Sequence, residues 1–229
     1  MKKIILQLCL AVMPILGVAQ TKGELVKHYE AFYNQMKKQG DLQGSINALT
    51  HLNVLEPNQA NTDTLAYYYL SANQYVQALN VIGIEKDENA SALAVQVKAV
   101  SLKSLNQREK ALEQYEILFK KTPNIYIAYE MADLRTQLGN FQGAMTNIEY
   151  GLANVNEADR IAFYESNQPY EVPAKAAFMY QKALSEYSLN QTDLDTPINT
   201  LTKALAIAPK FTLAQTIKKA LLQKKAGVE

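Results

Sequence analysis

The chain has 229 residues, 48% of them hydrophobic and 20% charged, a globular make-up that excludes wholesale disorder. Lys and Arg number 23 against 22 Asp and Glu, so the formal charge of +1 offers no field to hold a polyanion, and no nucleic-acid partner is expected. One Cys and two His exclude a disulfide framework and any multi-cysteine zinc or iron–sulfur site.

The chain opens with an address. Lys2 and Lys3 precede an apolar run interrupted by Gln7 and Pro14, and Gly17 and Ala19 place small residues just before a cleavage point after Ala19. The run is short for a membrane span, and no stop-transfer pattern follows it. Leu8 precedes Cys9 too close to the lysines for a lipid-attachment signal. Residues 1–19 are therefore expected to be a cleaved signal peptide, and the protein to be exported to the periplasm or outside the cell, not as a lipoprotein. The Ala19-Gln20 junction resembles export signals of the Bacteroidota. Cleavage would remove Lys2, Lys3 and Cys9, shifting the formal charge from +1 to −1.

From there a spacing of 33 residues governs the chain. Ala66, Ala99 and Ala132 keep it, as do Ala78, Ala111 and Ala144, with Ser45 in the preceding slot. Turn residues Gly40, Asn73, Asn106 and Gly139 fall in the same register, followed two positions later by Leu42, Tyr75, Arg108 and Phe141. Apolar Leu49, Ile82, Tyr115 and Ile148 form a further column, and Pro57 and Pro123 stand two periods apart. Such a period signals a stack of identical supersecondary units. Each unit reads as two helices: Ala111, Leu112, Tyr115, Leu118 and Phe119 have helical spacing, and Thr122-Pro123 ends that helix. Asn106 permits the turn before it because Asn tolerates a left-handed backbone.

The units are expected at about residues 26–58, 59–91, 92–124 and 125–155. Residues 156–173 break the register as an insertion with Pro169 and Pro173, whose Phe163, Tyr164 and Tyr170 suggest that it packs. A fifth unit is expected at 174–209, with helices over 174–189 and 197–206; Asp195 and Thr196 before Pro197 supply its cap and first turn. A last helix over 211–225 carries Leu213, Ile217, Ala220 and Leu221 on one face and Lys218, Lys219, Lys224 and Lys225 elsewhere. It reads as the polar-faced cap that a solenoid needs. The rival reading is a basic amphipathic helix that meets an anionic membrane or a partner.

The pattern resembles the tetratricopeptide repeat family. Ala99, Ala111, Tyr115 and Pro123 match its small, small, aromatic and proline positions in the third unit; the first unit matches the pattern with Gly40, Leu49 and Pro57, and the fourth with Ala132, Gly139, Ala144 and Gly151. The family's Trp is absent, and its usual period is 34 rather than 33. The resemblance implies an all-α fold, a right-handed superhelical solenoid of helix hairpins closed by a C-terminal capping helix. It also implies that the first helix of each unit lines a concave face that holds a protein or peptide partner. Carried over position by position, that face includes Asn34 and Lys37 in the first unit, Asp63 and Tyr67 in the second, and Gln96, Val100 and Lys103 in the third. Tyr126, Tyr129 and Asp133 follow in the fourth. Tyrosines of this kind are typical interface anchors, and the face mixes both charge signs.

No catalytic constellation competes with this reading. His28 and His51 stand on different helices without a metal-ligand motif, no phosphate loop or nucleophile elbow occurs, and Asp193 and Asp195 sit at a helix start. Catalytic residues, metal and cofactor are expected to be none. Two alternative functions remain open at this stage: a glycan- or small-ligand-binding envelope protein that uses Tyr164, Glu165 and Tyr170 of the insertion, and a membrane-surface assembly factor that acts through the terminal basic helix.

Overall fold

A computed structural model describes residues 21–165 and 168–227. The expected signal peptide, residues 1–19, lies outside the described residues. Helices α1 (Lys22–Gln39), α2 (Leu42–Leu55), α3 (Gln59–Ser71), α4 (Tyr75–Ile82), α5 (Ala92–Ser104), α6 (Arg108–Lys121), α7 (Ile125–Gln137) and α8 (Phe141–Asn154) come first. Strands β1 (Arg160–Phe163) and β2 (Tyr170–Pro173) follow, then helices α9 (Ala174–Leu189), α10 (Asp195–Ile207) and α11 (Thr212–Lys225). The fold is an all-α solenoid of helix hairpins into which one short β-hairpin is set.

The 33-residue period is a period of helix ends. α2, α4, α6 and α8 begin at Leu42, Tyr75, Arg108 and Phe141. Two residues before each start, the backbone turns left-handed: φ is +70° at Gly40, +58° at Asn73, +60° at Asn106 and +77° at Gly139. Each turn carries the same pair of bonds, as where Asn106 N–H donates to Lys103 O at 2.9 Å and Gln107 N–H to Leu102 O at 2.9 Å. These bonds satisfy carbonyls that the end of the preceding helix leaves unpaired. Asp41 and Asn140 then cap α2 and α8, accepting from Gly44 and Gly143 N–H at 2.8 and 2.9 Å. Pro57, Pro123 and Pro209 stand just beyond the ends of α2, α6 and α10.

Two compact units divide the chain, one reaching to Thr62 and the other starting at Asp63. In the first, Thr21 and Glu24 form a reciprocal cap on α1. α1 and α2 pair there, with the Tyr29 and His51 rings stacked at 4.3 Å. In the second unit, α4 to α11 pack on their chain neighbours, α8 lies against α9, and the small residues of the repeat mark the seams. Ala66, Ala99, Ala132, Ala78, Ala111 and Ala144 are all fully buried. Paired helices approach closely only where such small side chains face each other. One tight seam is at Gly151 of α8, where a Cβ would stand 2.1 Å from Cζ of the buried Phe178 of α9.

One expectation gains detail and another needs correction. The insertion is a β-hairpin, with Ile161 opposite Val172 and Phe163 opposite Tyr170. A lone two-stranded hairpin is marginal in water; here Phe163 and Tyr170 stack on each other and lean on Phe211, whose ring also meets Tyr180 at 5.2 Å. The correction is the start of α10. It begins at Asp195 rather than at residue 197, and the side chain of Asp193, one residue before the N-cap Leu194, serves its first N–H groups in place of that of Asp195. Asp193 Oδ1 accepts from the Asp195 and Thr196 N–H groups at 3.1 Å each. Its hydroxyl and backbone bonds from Thr196 hold the carboxyl below its usual range.

Candidate functional site

A cleft of about 1040 Å³ opens in the second unit between α5, α7 and β1. Leu93, Val100, Tyr115, Leu118, Ile127 and Leu213 give it apolar surface, and the whole of β1 forms one wall. β2 contributes only Glu171.

Its polar centre rises from the last turn of α5 and the middle of α7. Glu130 and Asp133, three residues apart and so on one helix face, both reach Lys103: Glu130 in close contact, Asp133 at 3.5 Å. Burial works to lower the Lys103 pKa, but the two carboxylates outweigh it and hold the ammonium above its usual range. The chain of contacts continues outward as Gln137 Nε2 donates to Asp133 at 2.9 Å and Arg108 Nε donates to Gln137 at 2.7 Å. Burial, reinforced by the Glu130 and Asp133 charges, raises the phenols of Tyr115 and Tyr129, so both stay neutral. Counted along the walls, Lys103 and Arg160 face Glu130, Asp133, Glu165 and Glu171, so the cleft is acidic on balance.

Aromatic rings edge this centre. Tyr129 is half-buried and packs edge-on against Phe178, with ring centroids 5.4 Å apart. Tyr126 is 49% exposed, its hydroxyl 3.4 Å from Asp159 Oδ1, and Tyr164 of the hairpin is 75% exposed. Among the described residues no group of three His, Cys, Asp or Glu could hold a metal ion, and no helix is long and apolar enough to cross a membrane.

No family profile and no curated protein matches the sequence. Solved structures do. The chain is similar to a tetratricopeptide repeat protein from Parabacteroides merdae, with a TM-score of 0.65 at 18% identity over 90% of this chain and 75% of that one. It is also similar to YrrB, a TPR protein with an unusual peptide-binding site, with a TM-score of 0.64 at 13% identity over 87% and 98% of the two chains. The fold is that of the tetratricopeptide repeat proteins. MamA from Desulfovibrio magneticus RS-1 shares this geometry, with a TM-score of 0.62 at 12% identity over 83% and 99% of the two chains.

Within the tetratricopeptide register, six of the ten positions named for the concave face meet in the cleft: Gln96, Val100, Lys103, Tyr126, Tyr129 and Asp133. The other four stand outside it. Asn34 and Lys37 are exposed on α1, with Lys37 Nζ 6.0 Å from the Tyr33 ring centroid, and Tyr67 is exposed on α3 beside Tyr68. Asp63 is buried rather than groove-facing and accepts from Ser91 Oγ at 2.6 Å. Sequence reasoning missed Glu130 and the β1 wall. Three-residue helical spacing back from Asp133 was the signal for Glu130. For the strands the sequence held only the short alternation Ile161, Phe163 and Tyr170, Val172, too brief to stand out from chance.

Proposed function

We propose that this protein is an exported tetratricopeptide scaffold that holds a segment of a partner protein in the cleft between α5, α7 and β1. The observation that carries the reading is the convergence of Tyr126, Tyr129, Lys103 and Asp133 with the hairpin around one open, aromatic-edged space. A cleft of about 1040 Å³ is wide enough for several side chains of a bound segment. The export half of the proposal rests on residues 1–19, and the peptide-binding description of the similar YrrB supports the partner half.

A photo-reactive amino acid placed at Tyr126 and activated in cells tests this. One recurrent adduct should form and should be lost on Tyr129→Ala, while the same group at exposed Lys110 on α6 should not give it. Identical adducts from both positions would overturn the partner site. Mass spectrometry of the purified protein should find Gln20 at the N-terminus; an intact Met1 would overturn the export half.

A second reading has its own observation. Tyr164 and Glu165 line the same cleft, with Glu165 bonded to the Tyr170 hydroxyl, so a glycan would enter the same space. A thermal shift with cell-envelope sugars would favour it. The membrane-surface alternative has less support, because α11 buries Ala214 and Leu221 and commits two lysines internally. Lys224 donates to the Tyr187 hydroxyl at 2.7 Å, and Lys225 pairs with Asp195.

A further inference from the structure

The hairpin borders the cleft with a free strand edge. Register pairs Arg160 with Pro173, Ile161 with Val172, Ala162 with Glu171 and Phe163 with Tyr170. One residue further out, Ala174 N–H donates to Asp159 O at 2.9 Å. Bonded and non-bonded pairs alternate along an antiparallel ladder. Ile161 and Phe163 therefore spend their backbone groups on β2, and Arg160 and Ala162 direct theirs away from it. Pro173, which has no N–H, sits opposite Arg160, where none is needed. Outside the helices and the ladder, no backbone hydrogen bond among the described residues takes the N–H or C=O of Arg160 or Ala162. The side chains are divided between two faces: Ile161, Val172, Phe163 and Tyr170 share the one turned to the core and Phe211, which leaves Arg160, Ala162, Glu171 and Pro173 on the other.

An unpaired edge is a template for another strand, and natural edges are usually blunted by a charge or a covering element. This one faces the cleft. We propose that β1 is a docking edge: an extended partner segment bearing lysine or arginine adds to it as a third strand, in parallel or antiparallel sense. The basic requirement follows from the walls, where four carboxylates outnumber Lys103 and Arg160 and where Lys103 is already held by Glu130 and Asp133. Glu171, beside the edge, has no partner among the described residues, and Tyr126 and Tyr164 offer exposed ring faces to a cation or an apolar side chain. Main-chain bonds would supply affinity, and the acidic walls specificity.

This inference rests on the cleft being the partner site. The probe is a blocked, fluorescently labelled hexapeptide of alternating lysine and valine, titrated into the full protein by anisotropy. Two counter-probes carry glutamate for lysine, or N-methyl groups on alternate backbone amides. Ala162→Pro removes the outward N–H without costing a ladder bond, and Ala162→Val leaves the edge intact. The lysine peptide should bind and slow amide exchange at Arg160 and Ala162. Affinity should fall by about tenfold or more with either counter-probe and with Ala162→Pro, but not with Ala162→Val. If Ala162→Pro proves unfolded by its melt, the N-methylated peptide carries the same question.

Equal binding of the N-methylated peptide, or no binding of the lysine peptide, overturns edge pairing. The Tyr126 adduct separates the two readings: an adduct with an indifferent edge leaves the partner site standing, and peptide pairing without an adduct removes the partner site alone.

Discussion

Four residues one period apart make the same left-handed turn, and two of them are asparagine. A left-handed backbone costs an ordinary L-residue about 1–2 kcal/mol, while glycine adopts it freely and asparagine with a smaller penalty. Gly139 has open space around it, since a Cβ there would meet nothing within 4 Å. Gly139→Ala should therefore lose about 1 kcal/mol through the backbone alone. Asn73→Gly and Asn106→Gly should change stability by no more than about 0.5 kcal/mol, because relief of strain is offset by the greater freedom of the unfolded chain. Urea titrations of the three variants check this, and a Gly139→Ala midpoint equal to wild type would remove the strain argument. This column was legible without a structure because the turn demands a rare backbone angle that few side chains tolerate. The Asp193 cap was not. Asp193 and Asp195 both stand near the start of α10 and both suit a cap, and only the path of the chain decides which carboxylate reaches the free N–H groups.

Helix pairing shows the opposite use of a small residue. Gly151 lies inside α8, where alanine is the better helix former, yet its missing side chain is the space that the Phe178 ring of α9 occupies. Gly151→Ala should overpack this seam and cost about 1–3 kcal/mol. Phe178→Leu in the same chain should recover part of the loss, giving a coupling in a double-mutant cycle. Additive losses would mean that the ring does not set the distance between the helices. The helices were easy to read because apolar residues recur over three or four turns. The β-hairpin was read only as a packed insertion. Its strands have four residues each, too few for alternation to be told from chance, and what stabilises them is Phe211, some forty residues away.

The unit that starts at Asp63 gathers tyrosine and lysine around one acidic pair, and this shapes its response to alkali. Tyr115 and Tyr129 are raised by burial and then by Glu130 and Asp133; Tyr170 is pushed up to about 12 by burial and its Glu165 contact. Lys103 is raised as well. All four bind their proton more tightly folded than unfolded, so their contribution is intact below about pH 10 and is lost as pH climbs beyond it. Urea midpoints should hold level from about pH 7 to about pH 9 and fall steeply above about pH 10, and Tyr129→Phe should soften that fall. A wild-type slope in Tyr129→Phe would exclude its phenol as a source. Six residues of the cleft were legible from the resemblance to the repeat family because the fold positions equivalent side chains alike; its far wall was not, because the hairpin belongs to no repeat. That wall has a consequence for timing. As the chain emerges from its N-terminus, α5 and α7 come first, and Phe211, the ring on which Phe163 and Tyr170 lean, comes only later. The proposed partner site is thus completed late, and a chain that ends before residue 211 carries both helices of the cleft without the wall that completes it.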